Sequence, residues 1–468
     1  MDQRLAEDLA RFDELLDAAR RRAARALSGL DSRSPAATGR PPAAEPLPEY
    51  GVGAEGALER FGSDWEPGLS GSAGPRYLGF VTGGATPAAV MGDWLTGVLD
   101  QNAAGDGRSV ADALELQTVT WLGELFGLGC AHSGSFVTGA TMSNAVGLAI
   151  GREWVGERQR ISVAEHGVAA VGPITVLSGT PHSSIYKALS LLGIGRASLR
   201  TLPTLPGREA VDPAALDAAL SDLDGRPAIV VSNAGTVNTV DFDDLNAVIE
   251  LRNRHDFWWH VDAAFGGFAA ACPDHARLTA GIDRADSVCV DLHKWLNVPY
   301  DSAVQFTRRK DLQIRVFQSL APYLGAPGDD PAYLHLTPES SRRLRALTAW
   351  FTLAAYGRAG HREIVRRNIA AARRLGARLS DDPRLWMLAP VRLNVVCATL
   401  ADRPTAERVA TLVKHIAESG EAFVTPTVYR QVPALRVAFS NWRTTMDDVD
   451  RVGTALLAAV DKVDVESA

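Results

Sequence analysis

Four times in this chain an apolar run stops abruptly in polar or charged residues. Ile174-Thr-Val-Leu177 runs into Ser178-Gly-Thr-Pro-His-Ser-Ser184, and Ala228-Ile-Val-Val231 into Ser232-Asn-Ala-Gly-Thr236. Phe257-Trp-Trp-His-Val261 gives way to Asp262-Ala-Ala-Phe-Gly-Gly267, and Val288-Cys-Val290 to Asp291-Leu-His-Lys294. From about residue 110 onward such short β-rich stretches alternate with helical segments, which predicts an α/β fold with a mostly parallel sheet covered by helices. In such a sheet the carboxyl ends of the strands share one edge, and ligands bind in the crevice there. His182, Thr236, Asp262 and Lys294 are therefore expected to converge.

Lys294 is the most telling of the four. Only Lys187, Lys294, Lys310, Lys414 and Lys462 appear among the 48 basic side chains, so arginine is used almost everywhere else. An amine can lose its proton when desolvated and attack a carbonyl, whereas a guanidinium stays charged and non-nucleophilic, which points to a Schiff base. The competing reading is a lysine snorkelling at a strand end. A second feature is Phe136-Val-Thr-Gly-Ala-Thr-Met-Ser-Asn144, a small-residue turn entering a helix. Gly139 permits the turn, and Thr141 and Ser143 offer hydroxyls beside the free N–H groups of the helix start, a cradle for phosphate or, more simply, an ordinary cap. An anion cradle, an imine-forming lysine and a carboxylate at a strand end are the three requirements of pyridoxal phosphate.

Composition narrows the class. With 468 residues and a 46% apolar share the chain can build about two or three packed units. A net charge of -7 argues against a nucleic-acid partner. Cys130, Cys272, Cys289 and Cys397 lie far apart without CxxC pairing, so reduced core thiols are expected and no metal. The N-terminus carries acids where a signal peptide would be basic, and no stretch is long enough to span a bilayer, so no membrane and a cytoplasmic location are expected. Residues 3 to 28 read as one amphipathic helix with Leu5, Leu9, Phe12, Leu15 and Leu16 on its stripe, followed by a linker over 31 to 48. That stripe must pack on the body of the protein or on a second subunit. Beyond about 350, a helix over Thr348 to Arg358 and then Arg362 to Ser380 leads into alternating stretches at Val391 to Cys397 and Leu435 to Phe439, a smaller α+β unit.

From about residue 77 to the C-terminus the chain resembles the group II pyridoxal-phosphate-dependent amino-acid decarboxylases, the family of the aromatic-amino-acid, glutamate, histidine and diaminobutyrate decarboxylases. His293-Lys294-Trp295 is the strongest marker. His182-Ser183-Ser184, His260-Val-Asp-Ala-Ala264, the cradle above and Tyr77-Leu-Gly-Phe-Val-Thr-Gly-Gly-Ala-Thr-Pro-Ala-Ala89 match in order and approximate spacing. The resemblance implies a fold-type I enzyme with a seven-stranded sheet. It implies an N-terminal helical, dimerising segment over residues 1–85, a large cofactor-binding domain over 86–348 and a small α+β domain over 349–468. It further implies a homodimer with shared active sites, and decarboxylation of an L-amino acid to an amine and carbon dioxide through an external aldimine and a quinonoid.

The roles carried over are these. Lys294 holds the cofactor, Asp262 accepts the pyridine N–H, His182 stacks on one ring face and Ala264 supports the other. Thr236 meets the phenolic oxygen or the substrate carboxylate, and His293 reaches the phosphate beside Thr141, Met142 and Ser143. Asp291 stands where family members often have Asn, and a carboxylate there would repel a phosphate. Tyr323, in a stretch rich in Gly, Pro and Asp, matches the proton donor of the family's mobile loop and favours plain decarboxylation over aldehyde formation. Phe80 and Thr82 are expected in the substrate pocket, with Gln101 and Asn102 adding hydrogen bonds that suit a polar or phenolic side chain; an aromatic substrate is the broadest default. Three alternatives stay open: another fold-type I activity (an aldehyde synthase, lyase or aminotransferase), a non-catalytic pyridoxal-phosphate-binding protein, and a cofactor-free α/β protein in which Lys294 is structural.

Overall fold

The structure, a computed structural model, describes residues 1–37, 39–102, 109–320 and 332–466. Seven strands form the main sheet: β1 (Ser133–Val137), β2 (Thr175–Ser178), β3 (Leu199–Thr201), β4 (Ala228–Asn233), β5 (Phe257–Asp262), β6 (Ser287–Asp291) and β7 (Ala303–Thr307), in the spatial order β1-β7-β6-β5-β4-β2-β3. All neighbours are parallel except β7, which runs antiparallel to both β1 and β6. The lack of alternation in the apolar runs has a simple cause: every residue of β4, β5 and β6 is buried, because helices cover both faces. Trp258 and Trp259 are successive and so point to opposite faces, yet both are wholly buried.

Strands β4, β5 and β6 end in register, with Asn233 beside Asp262 and Asp262 beside Cys289, so the four expected strand ends do lie along one edge. The helix Ala140–Arg158 packs across the sheet and touches β4, β5, β6 and β7. A smaller antiparallel sheet, β8 (Leu385–Met387), β9 (Val395–Leu400), β10 (Thr425–Tyr429) and β11 (Val432–Ala438), has the order β10-β11-β9-β8 and a core of its own with the helices Ala406–Glu418 and Met446–Glu466. The long helix Arg345–Ser380 joins the two: Ile364 and Ile369 belong to the main core, Ala372 and Leu379 to the smaller one. It breaks at Gly357, φ +56, slightly before the expected interruption.

Two readings need correction. Residues 3–28 form two helices, Gln3–Ala10 and Phe12–Ser28. The chain turns at Arg11, which pairs with Glu14 and Glu55, while Asp8 accepts the Ala54 N–H, so both pieces can pack on the helix Gly53–Arg60. Cys130 is exposed beyond the turn at Gly127 and Gly129, whereas the other three thiols are buried and free. Residues 77–83 are built into the body: Leu78 donates to the Phe423 carbonyl (2.8 Å) and accepts from Ala438 (2.9 Å). Among the described residues no helix is long and apolar enough to cross a membrane.

Candidate active site

β6 ends at Asp291 and the chain passes at once into a single helical turn, Leu292–Trp295. Leu292 and His293 donate their N–H groups to the Ser302 carbonyl (3.0 and 3.1 Å), and buried Trp295 donates its indole N–H to Asn368 (2.8 Å). Trp295 thus anchors the turn inward, while Lys294 keeps 17% of its side chain exposed at the sheet edge. The Lys294 Nζ lies 3.5 Å from Asp291 Oδ2 and 5.5 Å from the centre of the Phe265 ring.

The helix Ala140–Arg158 begins against this turn. Ala140 donates its N–H to Asp291 Oδ2 (3.4 Å), and the space beside Gly139 is bounded by His293, whose Cε1 would stand 3.5 Å from a Cβ there. The N–H groups of Thr141 and Met142 have no partner within the helix, as at any helix start, and face an anion favourably. Ser143 does not add its hydroxyl to that cradle. It sits on the buried face and donates to the Val304 carbonyl (3.0 Å). Asp291 faces Lys294, the Ala140 N–H and, at 3.0 Å, His293 Nδ1.

At the end of β5, Asp262 is 6% exposed and accepts from Asn144 Nδ2 (2.9 Å) and the Ala264 N–H (3.2 Å). Among the described residues no lysine or arginine pairs with it, so a buried carboxylate stands at the edge without a cation. Half-buried Ala264 accepts in turn from the Asp291 N–H (2.8 Å), locking the ends of β5 and β6 together. His182 caps the helix Ser183–Leu191 with one edge open to solvent. Its Nδ1 accepts from the Ser184 N–H (3.2 Å) and lies 2.8 Å from Ser184 Oγ, so the neutral ring carries its proton on Nε2. Surrounding protein lowers the pKa of His182, and of His293, by desolvation.

Thr82 is buried and bonds through its hydroxyl to Tyr300 Oη (3.0 Å), whose ring lies 4.2 Å from that of His293. Phe80 is exposed in the left-handed region (φ +58) and leans on Phe423, which stacks on Tyr77 with ring centres 4.6 Å apart. Thr236 is buried with its hydroxyl committed elsewhere: it donates to Glu209, 27 residues away, and accepts from the Asp241 N–H of its own turn. Gln101 and Asn102 are exposed, bonded to Leu99, Ser109 and the Arg342 N–H, and among the described residues neither is bonded to the group around Lys294. Tyr323 lies outside the described residues. Sequence reasoning missed Asn144, His260, Tyr300 and Arg436, the last a buried guanidinium on β11 whose charge is felt at His182. Only the adjacency of Asn144 to the cradle could have drawn attention to one of them.

Comparison with known proteins agrees with this geometry. Residues 64–401 match the pyridoxal-dependent decarboxylase conserved domain. An aromatic-L-amino-acid decarboxylase of Bacillus atrophaeus is 26% identical over 405 residues, 84% of this chain and 82% of the relative. Tyrosine decarboxylase 4 of Petroselinum crispum is 26% identical over 422 residues, 85% and 81% of the two chains. The crystal structure of Oryza sativa TDC with PLP and tryptamine superposes with a TM-score of 0.89 at 23% identity, over 97% of this chain and 98% of the other. The chain belongs to the pyridoxal-dependent decarboxylase family. It is a pyridoxal-phosphate-dependent amino-acid decarboxylase, and its residues fit that cofactor: an amine, an uncompensated buried carboxylate and a helix start meet at one edge, with His182 open on one side.

Proposed function

We propose that the protein decarboxylates an aromatic L-amino acid to its amine, with Lys294, Asp262 and His182 at the reacting centre. Bound pyridoxal phosphate supplies the carbonyl that captures an amino group and the ring that takes up the electrons released with carbon dioxide. Lys294 holds the cofactor, and Asp291, 3.5 Å from its Nζ, is placed to take the proton that the attacking amine must lose. Asp262 keeps the ring nitrogen protonated. His182, neutral with its proton on Nε2, covers a ring face and can donate that proton. The start of the helix Ala140–Arg158, with Thr141 and Met142, and His293 beside it hold the phosphate, and Ala264 gives the other ring face room.

The observation that carries the assignment is the meeting of Lys294, Asp291, Asp262 and the helix start at one sheet edge. The aromatic preference rests on the wall of Tyr77, Phe80, Phe423 and Tyr300, which borders the Lys294 turn through the Gly83 N–H to His293 carbonyl bond (3.4 Å). The names of the relatives point the same way. Phe80 and Thr82 are proposed as pocket residues on this wall, and buried Arg436 as a cation that draws the substrate carboxylate. The protein acts as a homodimer in the cytoplasm, with domains over 86–348 and 349–468 and the segment 1–85 contributing to the interface. Supporting the dimer, Met91, Trp94, Leu95, Val98 and Leu99 are exposed along one helix, Pro87–Leu99.

The test is to incubate the purified protein with pyridoxal phosphate and separately with tyrosine, tryptophan, phenylalanine, glutamate and diaminobutyrate. Carbon dioxide and amine are expected from the aromatic substrates, and Lys294→Arg is expected to release none. Borohydride reduction followed by peptide mapping is expected to place a pyridoxyl group on Lys294; an unmodified Lys294 would sink the assignment.

A further inference from the structure

We propose that Asn144 is a positioning residue that locks Asp262 and His182 into one buried hydrogen-bonded unit, with His260 as its support. The proposal rests on the reading above, in which Asp262 and His182 face the cofactor. Asn144 is wholly buried, and each polar atom of its amide is used. Its Nδ2 donates one hydrogen to Asp262 Oδ2 (2.9 Å) and the other to Ser184 Oγ (3.0 Å), while its Oδ1 accepts from His260 Nε2 (2.9 Å).

The amide orientation is forced by chemistry. Turned over, its oxygen would face the Asp262 carboxylate, two acceptors in contact with no hydrogen between them. Protons then follow along the chain. Because Ser184 Oγ receives from Asn144, its own hydrogen is free to point at His182 Nδ1 (2.8 Å), where it joins the Ser184 N–H (3.2 Å) in keeping the His182 proton on Nε2, facing away from the network. On the other side His260 must donate from Nε2, so its Nδ1 accepts from Ser287 Oγ (2.7 Å). His260 is wholly buried and burial pushes it down to about 4, so it supports the amide as a neutral donor. The helix makes room for it at Gly147, where a Cβ would lie 2.7 Å from the imidazole ring.

Losing the amide would leave a buried carboxylate one donor short and release the Ser184 hydroxyl. The protein is to be prepared without cofactor, and the dissociation constant for added pyridoxal phosphate and the 15N chemical shifts of the His182 ring measured, the latter by NMR. Asn144→Leu is expected to weaken pyridoxal phosphate about 10- to 100-fold and to shift the His182 Nδ1 resonance as the Ser184 hydroxyl lets go, while the Ser184 N–H keeps the proton on Nε2. In the loaded enzyme it should lower kcat more than it changes KM. Should Asn144→Leu fail to fold, the pair at His260 decides. His260→Leu is expected to weaken the cofactor, and His260→Gln, whose Nε2 can replace the lost donor, to recover most of that loss. Ser184→Ala is expected to move the same His182 resonance with a smaller effect on cofactor binding. A folded Asn144→Leu that binds pyridoxal phosphate within twofold of wild type, while Asp262→Ala loses it, would overturn this proposal and leave the underlying reading intact. Unchanged binding in both variants would overturn the placement of Asp262 against the cofactor itself.

Discussion

Gly83 lies where the substrate wall meets the Lys294 turn. A Cβ there would stand 1.8 Å from the Lys294 carbonyl oxygen and 2.3 Å from Asn297 Nδ2. The first obstacle is backbone, so no side-chain rotation relieves it, and either the Phe80 to Gly83 segment or the catalytic turn must move. Gly83→Ala is expected to cost on the order of 3 kcal/mol of stability and to weaken cofactor binding. Urea denaturation and pyridoxal phosphate titration check both, and a wild-type midpoint would show that the turn yields freely. The placing of Lys294, Asp262 and His182 along one edge could be read from sequence because each follows an apolar run, and a parallel sheet brings the ends of such runs together. Ser143 and Thr236 could not be read as well, because a hydroxyl's direction is set by tertiary partners: the Val304 carbonyl for one and Glu209 for the other. The hydrogen bonds of Asn144 were invisible for the same reason, since its partners His260 and Asp262 lie 116 and 118 residues away.

Helices and strands were legible to different degrees. Strand ends were marked by chemistry and helix breaks hardly at all: the interruption of the long helix was expected over 359–361, just past its place at Gly357, and the turn at Arg11, which depends on contacts to the helix Gly53–Arg60, was not expected. Two buried histidines on separate elements, His260 in β5 and His361 in the helix Arg345–Ser380, set a pH dependence of stability. Burial pushes each down from 6.5 to about 4, so folding favours the neutral ring. The stability this confers is present above pH 6.5 and is lost as pH falls through 4, up to about 3 kcal/mol for each ring. Asp243 acts in the opposite sense. Burial raises it from 3.8 to about 6, so the folded state gains stability as pH falls through that window. Two rings outweigh one carboxyl, and the denaturation midpoint is expected to drop between pH 6.5 and 4. His361→Leu should lose less over that interval than wild type; an equal loss would remove His361 from the explanation.

The whole molecule has apolar surface that a single chain leaves uncovered. Along the helix Pro87–Leu99, Met91 is 60% exposed, Trp94 46% and Val98 67%, and no residue of the helices Gln3–Ala10 and Phe12–Ser28 is buried although both carry apolar stripes. Contiguous faces of this kind mark an interface, and the pairing that closes without leaving a sticky surface elsewhere is a twofold dimer. In the sequence the N-terminal stripe left the body or a second subunit as its cover, and the homodimer followed only from the family resemblance; nothing there marked Met91 to Leu99 as a second patch. Light scattering is expected to give twice the 49.9 kDa chain mass. Val98→Glu places a charge in the middle of the exposed face, where pairing would desolvate it, and is expected to shift the protein towards single chains on dilution while leaving each chain folded by circular dichroism. If active sites are shared between subunits, decarboxylase activity should fall in step with the dimer fraction as Val98→Glu is diluted. Activity that follows chain concentration instead, with the dimer gone, would show each chain to be catalytically complete and would confine the apolar faces to a structural role.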